Sequence, residues 1–361
     1  MSAPSAFEPL TFTRGPSMAN RFMLAPLTNL QSHADGRLSD DEFNWLQMRA
    51  AGGFGLTMTC AAHVQAGGQG FAGQLGIFGD GHIEGLARLA GAIRSHGSIA
   101  VAQLYHGGMR ANPSLTGSAP VSPSADEETG ARALSNDEVR TLIDDFVAAA
   151  VRAEHAGFDG VELHGAHGYI ICQFLSAELN RRDDEYGGTL ENRARVLREI
   201  IAGIRARCGA DFSVGVRLSP ERFGITLGES TELAAALMQE DQIDYLDMSL
   251  WDVFKAPGEQ AFSDKPLIQH FAALDRGNVR LGVAGKLKTA AAVQRCLDEG
   301  ADFVLLGRAA ILHHDFPKLM RETPGFEALA LPVTRDYLRN EGLGPAFVDY
   351  MSTWRGFVAD A

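Results

Sequence analysis

Cysteine is scarce in this chain of 361 residues: Cys60, Cys172, Cys208 and Cys296 are dispersed, with no Cys-x-x-Cys spacing. That pattern gives neither a disulfide framework nor a cysteine-built zinc or iron–sulfur site, and four reduced thiols of an intracellular protein are the reading. Positive charge is short as well. Lys and Arg number 32 against 45 Asp and Glu, a formal charge of −13, and no basic block offsets it locally. Nucleic acid and anionic membranes are repelled by such a surface rather than bound. No apolar run approaches the ~18 residues of a membrane span. The opening MSAPSAFEPLTF lacks the basic region and apolar stretch of a signal peptide, so the expected compartment is the cytoplasm.

What the chain does hold is a repeating alternation. Short apolar runs recur at 22–25, 55–64, 99–106, 158–164, 212–218, 243–250, 279–285 and 301–308, with helical patterns between them. Continuous apolar strands alternating with helices make a parallel sheet covered on both faces, and eight such units close a (β/α)8 TIM barrel. An open doubly wound sheet is the competitor. It would place a glycine-rich fingerprint after the first strand, where Pro26-Leu27-Thr28-Asn29 stands instead. The expectation is therefore one α/β domain over 1–361, with the barrel at about 20–320. Ser39-Asp40-Asp41-Glu42 and Ser135-Asn136-Asp137-Glu138 both read as capping boxes at helix starts.

A barrel needs only ~250 residues, and two segments absorb most of the surplus. Gly107 to Leu134, rich in Pro, Ser and Gly, follows the third strand on the side where barrel active sites lie; it reads equally as a lid or as a surface loop. The piece from 321 to 361 reads as a helical extension, with Phe347, Tyr350, Met351, Trp354 and Phe357 at helical spacing. Packing on the outside of the barrel is its favoured role. Contact with a neighbouring subunit, making a homo-oligomer, is the alternative.

Strand-end residues of a parallel barrel converge on one face even when far apart in sequence. Here they are Pro26-Leu27-Thr28, Ala62-His63, Gln103, His106, the segment HGAHGY at 164–169, Arg217, Gly285-Lys286 and Gly307-Arg308. Strands seven and eight end in VAGK and LLGR, the usual phosphate position of the fold, where glycine lets backbone N–H groups approach an anion and Arg308 adds a fixed charge. A phosphorylated ligand is expected there. Arg217 lies inside an apolar strand and needs an anionic or carbonyl partner; a structural salt bridge to Glu162 is the plain reading. Gln103 offers a donor and an acceptor to a planar heterocycle, or is a satisfied core amide. His164 and His167 could ligate a metal, but no third ligand has clear placement and no HExxH occurs, so no metal is assigned. Two neutral imidazoles can instead donate to a carbonyl or nitro oxygen while the phenol of Tyr169 gives a proton.

From NRFMLAPLTN through HGAHGYIICQFLS and NRRDDEYGGTLENR to ADFVLLGR, the chain resembles the old yellow enzyme family of FMN-dependent NAD(P)H oxidoreductases over about residues 8 to 320. The resemblance implies that Ala25, Pro26, Leu27, Thr28 and Ala62 line the isoalloxazine of a bound FMN. It implies further that Gln103 bonds the pyrimidine edge, that Arg217 sits by N1 and the C2 carbonyl, and that Gly285, Lys286, Gly307 and Arg308 belong to the phosphate end. By the same resemblance His164 and His167 bind the oxygen of a small-molecule electrophilic alkene, Tyr169 protonates it, and NADH or NADPH supplies the hydride in a ping-pong cycle. The long polar turn after Tyr169 becomes a structural brace. Leu30 stands where many relatives carry a tyrosine. A flavin dehydrogenase or demethylase, a flavin-binding sensor, and a flavin-free phosphate-binding barrel are the competing functions.

Overall fold

In a computed structural model that describes residues 4–359, eight parallel strands close into a barrel. They are β1 (Phe22–Leu24), β2 (Leu56–His63), β3 (Ile99–Tyr105), β4 (Gly160–Gly165), β5 (Ser213–Leu218), β6 (Tyr245–Ser249), β7 (Arg280–Ala284) and β8 (Phe303–Leu306). Each lies within two residues of the apolar run that marked it. Leu24 of β1 stands opposite both Thr57 of β2 and Leu306 of β8, which closes the cylinder. A helix follows every strand, from Asp40–Ala51 after β1 to Arg308–Leu312 after β8. Among the described residues no helix is long and apolar enough to cross a membrane.

The barrel interior is divided by height. Its lower half is filled by Leu56, Met58, Ile99, Val101, Phe303 and Leu305. Phe12 closes that end: its ring lies 5.7 Å from Tyr245 and 6.2 Å from Phe303, held by a short hairpin in which Leu10 and Met18 exchange backbone hydrogen bonds. Above this layer the inward side chains turn polar. Gln103, Glu162, Arg217 and Asp247 are each no more than 6% exposed, so the fold stands only if they satisfy one another.

The structure completes one of the two capping boxes. Ser135 Oγ accepts from Glu138 N at 3.3 Å and Glu138 Oε2 accepts from Ser135 N at 2.8 Å, a reciprocal cap that contributes about 1 kcal/mol to the long helix Asn136–His155. At Ser39 only half the box forms. Ser39 Oγ accepts from Glu42 N, but the Glu42 side chain turns inward to Asn29 Nδ2 at 3.0 Å and the Ser32 hydroxyl. Fully buried there, with its pKa raised by desolvation, it anchors the loop that carries Pro26 to Thr28.

The segment Gly107 to Leu134 has structure of its own: a helical turn at Pro113–Thr116 and a two-stranded sheet of Val121–Ser122 with Arg132–Ala133. The polar turn after Tyr169 holds it down. Arg182 donates to the carbonyls of Pro123 at 3.0 Å and Leu134 at 2.5 Å while pairing with Asp184, and Arg181 donates to Ala125 O. Arg110 is the one residue of the segment that lines the cavity described below.

Cover comes from the other end of the chain. The helix Pro345–Ser352 packs on the first barrel helix, with the ring of Phe347 4.9 Å from Trp45, and Tyr337 of the helix Arg335–Asn340 donates to Leu312 O at 2.6 Å; burying Phe347 alone stabilises its contact by about 2–3 kcal/mol. The helical spacing read through Phe357 stops sooner than expected. The helix ends at Ser352, and Trp354 and Phe357 follow in a turn. Tyr350, Met351 and Trp354 reach over the barrel mouth, so the extension packs on the outside and also walls the site.

Candidate active site

The upper ends of the strands open into a cavity of about 740 Å³ that shares Thr28, His167, Tyr169 and Arg217 with a smaller one of about 200 Å³ beneath. Ala25, Pro26, Leu27 and Thr28 enter the larger cavity from β1 and its loop. Gly285 and Lys286 enter after β7, and Gly307 and Arg308 after β8. The smaller cavity reaches down to Gln103 and His164.

HGAHGY is shaped by a left-handed turn, with φ of 62° at His167 and 72° at Gly168. A non-glycine residue there costs about 1–2 kcal/mol, and what it gains is ring placement. The His167 and Tyr169 rings each lie 5.0 Å from His164, and Tyr169 meets Tyr105 edge-on at 4.5 Å. Ala166 N–H points at His164 Nδ1 from 3.3 Å, which assigns the proton to Nε2. That Nε2 is 3.3 Å from His167 Nδ1, and His167 Nε2 is 2.8 Å from Ser249 Oγ. Burial lowers the His164 pKa well below its ordinary value, with His167 and Arg217 adding to the effect. Burial followed by Arg217 and Arg110 brings His167 to about 3. Both rings are neutral at pH 7, and each offers one N–H.

Arg217 does not take the expected partner. Its Nε lies 2.9 Å from Asp247 Oδ2, directly across the β5–β6 register, and Nη2 donates to Ser249 Oγ at 3.4 Å. Glu162 is held instead by Gln103 Nε2 at 2.8 Å, across the β3–β4 register. The Glu162 bond also fixes which way the Gln103 amide faces. One guanidinium thus serves two buried carboxyls. Burial raises both; Asp247 repels Glu162 as well, pushing it up to about 8. At pH 7 the charge that balances Arg217 resides on Asp247, and Glu162 keeps its proton.

The opposite end of the cavity is cationic. Lys286 pairs with Asp252 at 3.1 Å, while among the described residues Lys288 and Arg308 have no carboxylate within 4.0 Å. A Cβ at Gly307 would meet nothing nearer than Leu27 at 3.5 Å, so its backbone is open to an approaching group. Gly285 is required for packing: a Cβ there would lie 2.8 Å from the Trp251 carbonyl carbon and from Asp252 N, forcing the β6 and β7 loops apart.

Ala62 is a correction. It is fully buried among the outer core residues and lines neither cavity; Ala61 faces the smaller one. A bulge sets Met58 opposite Val101 but Ala61 opposite Gln103, and this extra residue reverses the alternation along β2. His63 and His106 also stay out of the site. Both are buried, the first bonded to Gln65 O at 2.9 Å and the second accepting from Gly108 N at 3.0 Å. Among the described residues no three His, Cys, Asp or Glu side chains gather where a metal could sit. The structure adds Ser249, Trp251, Arg110, Arg222 and Phe223 to the cavity wall. Their loops carry no periodicity, and only Ser249, inward on the same alternation as Tyr245 and Asp247, had a signal in the sequence.

The family described as "NADH:flavin oxidoreductase / NADH oxidase family" matches residues 5–323. A probable NADH-dependent flavin oxidoreductase of Bacillus subtilis (strain 168) is 34% identical over 327 residues, 88% of this chain and 87% of that protein. An NADH:fumarate oxidoreductase of Klebsiella pneumoniae (strain 342) is 36% identical over 326 residues, which are 86% of this chain and 35% of the relative; this chain spans about a third of that longer protein. Among solved structures, the old yellow enzyme homologue from Zymomonas mobilis aligns with a TM-score of 0.80 at 28% identity, covering 96% of this chain and 99% of that one. Morphinone reductase in complex with tetrahydroNAD aligns at 0.79 and 29%, covering 96% and 97%. The chain belongs to the NADH:flavin oxidoreductase family of the old yellow enzymes, and it is an FMN-dependent oxidoreductase that uses NADH or NADPH.

Proposed function

We propose that this enzyme reduces the activated C=C bond of α,β-unsaturated carbonyl or related electrophilic compounds. The observation that carries the reading is the cluster of His164, His167 and Tyr169: two neutral N–H donors and a phenol within 5.0 Å ring contacts at one cavity wall. An amine-oxidising site would grip a cation with aromatic faces; this wall presents donors suited to an oxygen.

The donor set fits FMN. Arg308, Lys288 and the open Gly307 backbone suit a terminal phosphate, while Gln103 and Arg217 at the other end suit the carbonyl edge of a heterocycle. FMN held there would supply hydride-transfer chemistry between the nicotinamide and the alkene. The protein's part is to orient and to manage charge. The Arg217 guanidinium offsets negative charge at the pyrimidine edge, and Asp247 keeps it from being an isolated buried cation.

His164 Nε2–H and a His167 N–H donate to the substrate oxygen, and their depressed pKa values keep them neutral donors at pH 7. Ser249 holds His167 in place until the substrate arrives. Tyr169 Oη gives its proton to the α-carbon. Both substrates use the same cavity in turn, hence a ping-pong order. Tyr169→Phe tests the assignment by stopped flow: NAD(P)H-dependent flavin bleaching stays near the wild-type rate, and alkene-dependent reoxidation slows by about 10²-fold. Equal slowing of both half-reactions would remove Tyr169 from the proton-donor role.

A further inference from the structure

The larger cavity is positively charged in an acidic protein. Arg110, Arg217, Arg222, Lys286, Lys288 and Arg308 line it, and no Asp or Glu does, although the chain as a whole carries −13. Four of these cations are accounted for: Arg217 by Asp247, Lys286 by Asp252, and Lys288 and Arg308 by the phosphate end assigned above. Two remain. Among the described residues neither Arg110 nor Arg222 has a carboxylate within 4.0 Å of its guanidinium. Glu221, next to Arg222 in sequence, is engaged by Lys255 Nζ at 2.6 Å and Gly258 N–H at 2.8 Å.

Both guanidiniums are placed by aromatic rings that touch the reacting cluster. Arg110 lies 4.6 Å from the centroid of Tyr169 and donates to His167 O at 2.5 Å. Arg222 lies 5.0 Å from the centroid of Trp251, whose ring is 6.0 Å from His167. Arg110 therefore lies directly against a proposed catalytic side chain, and Arg222 is one ring away from another. The backbone is bent to achieve this, with φ of 80° at Arg222, 57° at Phe223 and 62° at Trp251, three non-glycine residues in the left-handed region at one rim. A stacked guanidinium keeps its N–H edge free for a carboxylate or phosphate.

We propose that Arg110 and Arg222 form an anion subsite, so that the ligand entering beside His167 and Tyr169 carries a carboxylate or phosphate group. The inference rests on the ene-reductase reading for the identity of that ligand and stands apart from it for the charge. The anion has two sources: an alkene bearing a carboxylate, or the phosphates of the nicotinamide dinucleotide. Of the two the structure favours the alkene, because both arginines adjoin the residues assigned to it.

The test uses the FMN-loaded enzyme with Arg222→Gln, Arg110→Gln and the conservative Arg222→Lys. The first arm titrates benzoate and its neutral counterpart benzamide against the oxidised flavin spectrum, which needs no turnover. The expected result is that benzoate affinity falls about tenfold in each Gln variant, recovers in part in Arg222→Lys, and weakens in wild type with added salt. The benzoate-to-benzamide preference should fall with it. The second arm compares reoxidation of the reduced enzyme by 4-oxopent-2-enoate and by its methyl ester, scoring the acid-to-ester ratio in wild type against the variants. A ratio that drops about tenfold assigns the subsite to the alkene. An unchanged ratio, with benzoate binding weakened and a raised Kd for NADH or NADPH in the reductive half-reaction, assigns it to the dinucleotide. Benzoate affinity unchanged in both Gln variants overturns the subsite. Wild-type enzyme that neither alkene reoxidises overturns the ene-reductase reading alone, since the benzoate arm still reports on the anion.

Discussion

Replacing Glu162 by Gln removes a proton-binding group that the fold holds at a loss. The carboxyl is wholly inside the barrel, bonded by Gln103 Nε2 at 2.8 Å and close to a guanidinium that Asp247 already engages. Burial and the Asp247 charge raise its pKa from 4.5 to about 8. Below pH 4.5 the folded and unfolded chains both hold this proton and it has no effect on stability. Between 4.5 and 8 the unfolded chain releases it and the folded chain does not, so stability falls as pH rises, by about 1.4 kcal/mol per pH unit. Joint titration with Asp247 spreads the effect over two carboxyls, so the loss across the window is on the order of a few kcal/mol. Gln keeps the acceptor that Gln103 uses and carries no titration. Urea unfolding of both proteins, freed of flavin so that ligand release stays out of the equilibrium, should show similar stability at pH 5. By pH 8.5 the variant should be ahead, by on the order of a few kcal/mol, with the gap widening as pH rises. A gap that does not widen with pH, or a variant less stable at pH 8.5, would refute this account of the buried cluster.

Arg308→Ala should raise the Kd for FMN about tenfold, read by quenching of flavin fluorescence on binding; an unchanged Kd would move the phosphate elsewhere. The pH profile of alkene-dependent reoxidation should show no inflection near 6.5 between pH 5 and 8, because His164 and His167 stay neutral throughout that range. An imidazole titration within it would contradict the neutral-donor assignment. The same depressed pKa values cost stability in acid: as pH falls below 6.5 the unfolded chain takes up protons that the folded sites refuse, and a His167→Asn variant should lose less stability between pH 6.5 and 4.

Parallel strands buried on both faces read as unbroken apolar runs, which is why all eight barrel strands were legible and their ends close to correct. Most of the cavity wall followed from those ends, since convergence at the barrel mouth is a property of the topology. Local pattern failed where geometry depends on a neighbour. The β2 bulge that exchanges Ala62 for Ala61 leaves no trace in LTMTCAAH, and Arg217 found Asp247 because the two share a register across β5 and β6. An Asp in the middle of IDYLDMSL was a signal of the same kind as Arg217. Arg110, Arg222 and Trp251 sit on irregular loops, where an isolated charge or ring looks like ordinary surface until the fold brings it to the mouth. The aromatic C-terminal segment showed its packing face but not its reach over the site, because the helix ends at Ser352 and a turn carries Trp354 across.

The central claim is that one cavity passes hydride from a nicotinamide to an activated alkene through bound FMN. An anaerobic titration of the purified protein in the visible region tests it most directly, first with NADH and NADPH and then with an enone. The account predicts a yellow protein that bleaches with the nicotinamide and recovers its colour on adding the enone. A protein that bleaches yet stays reduced with every enone would contradict ene-reduction and point to a different electron acceptor.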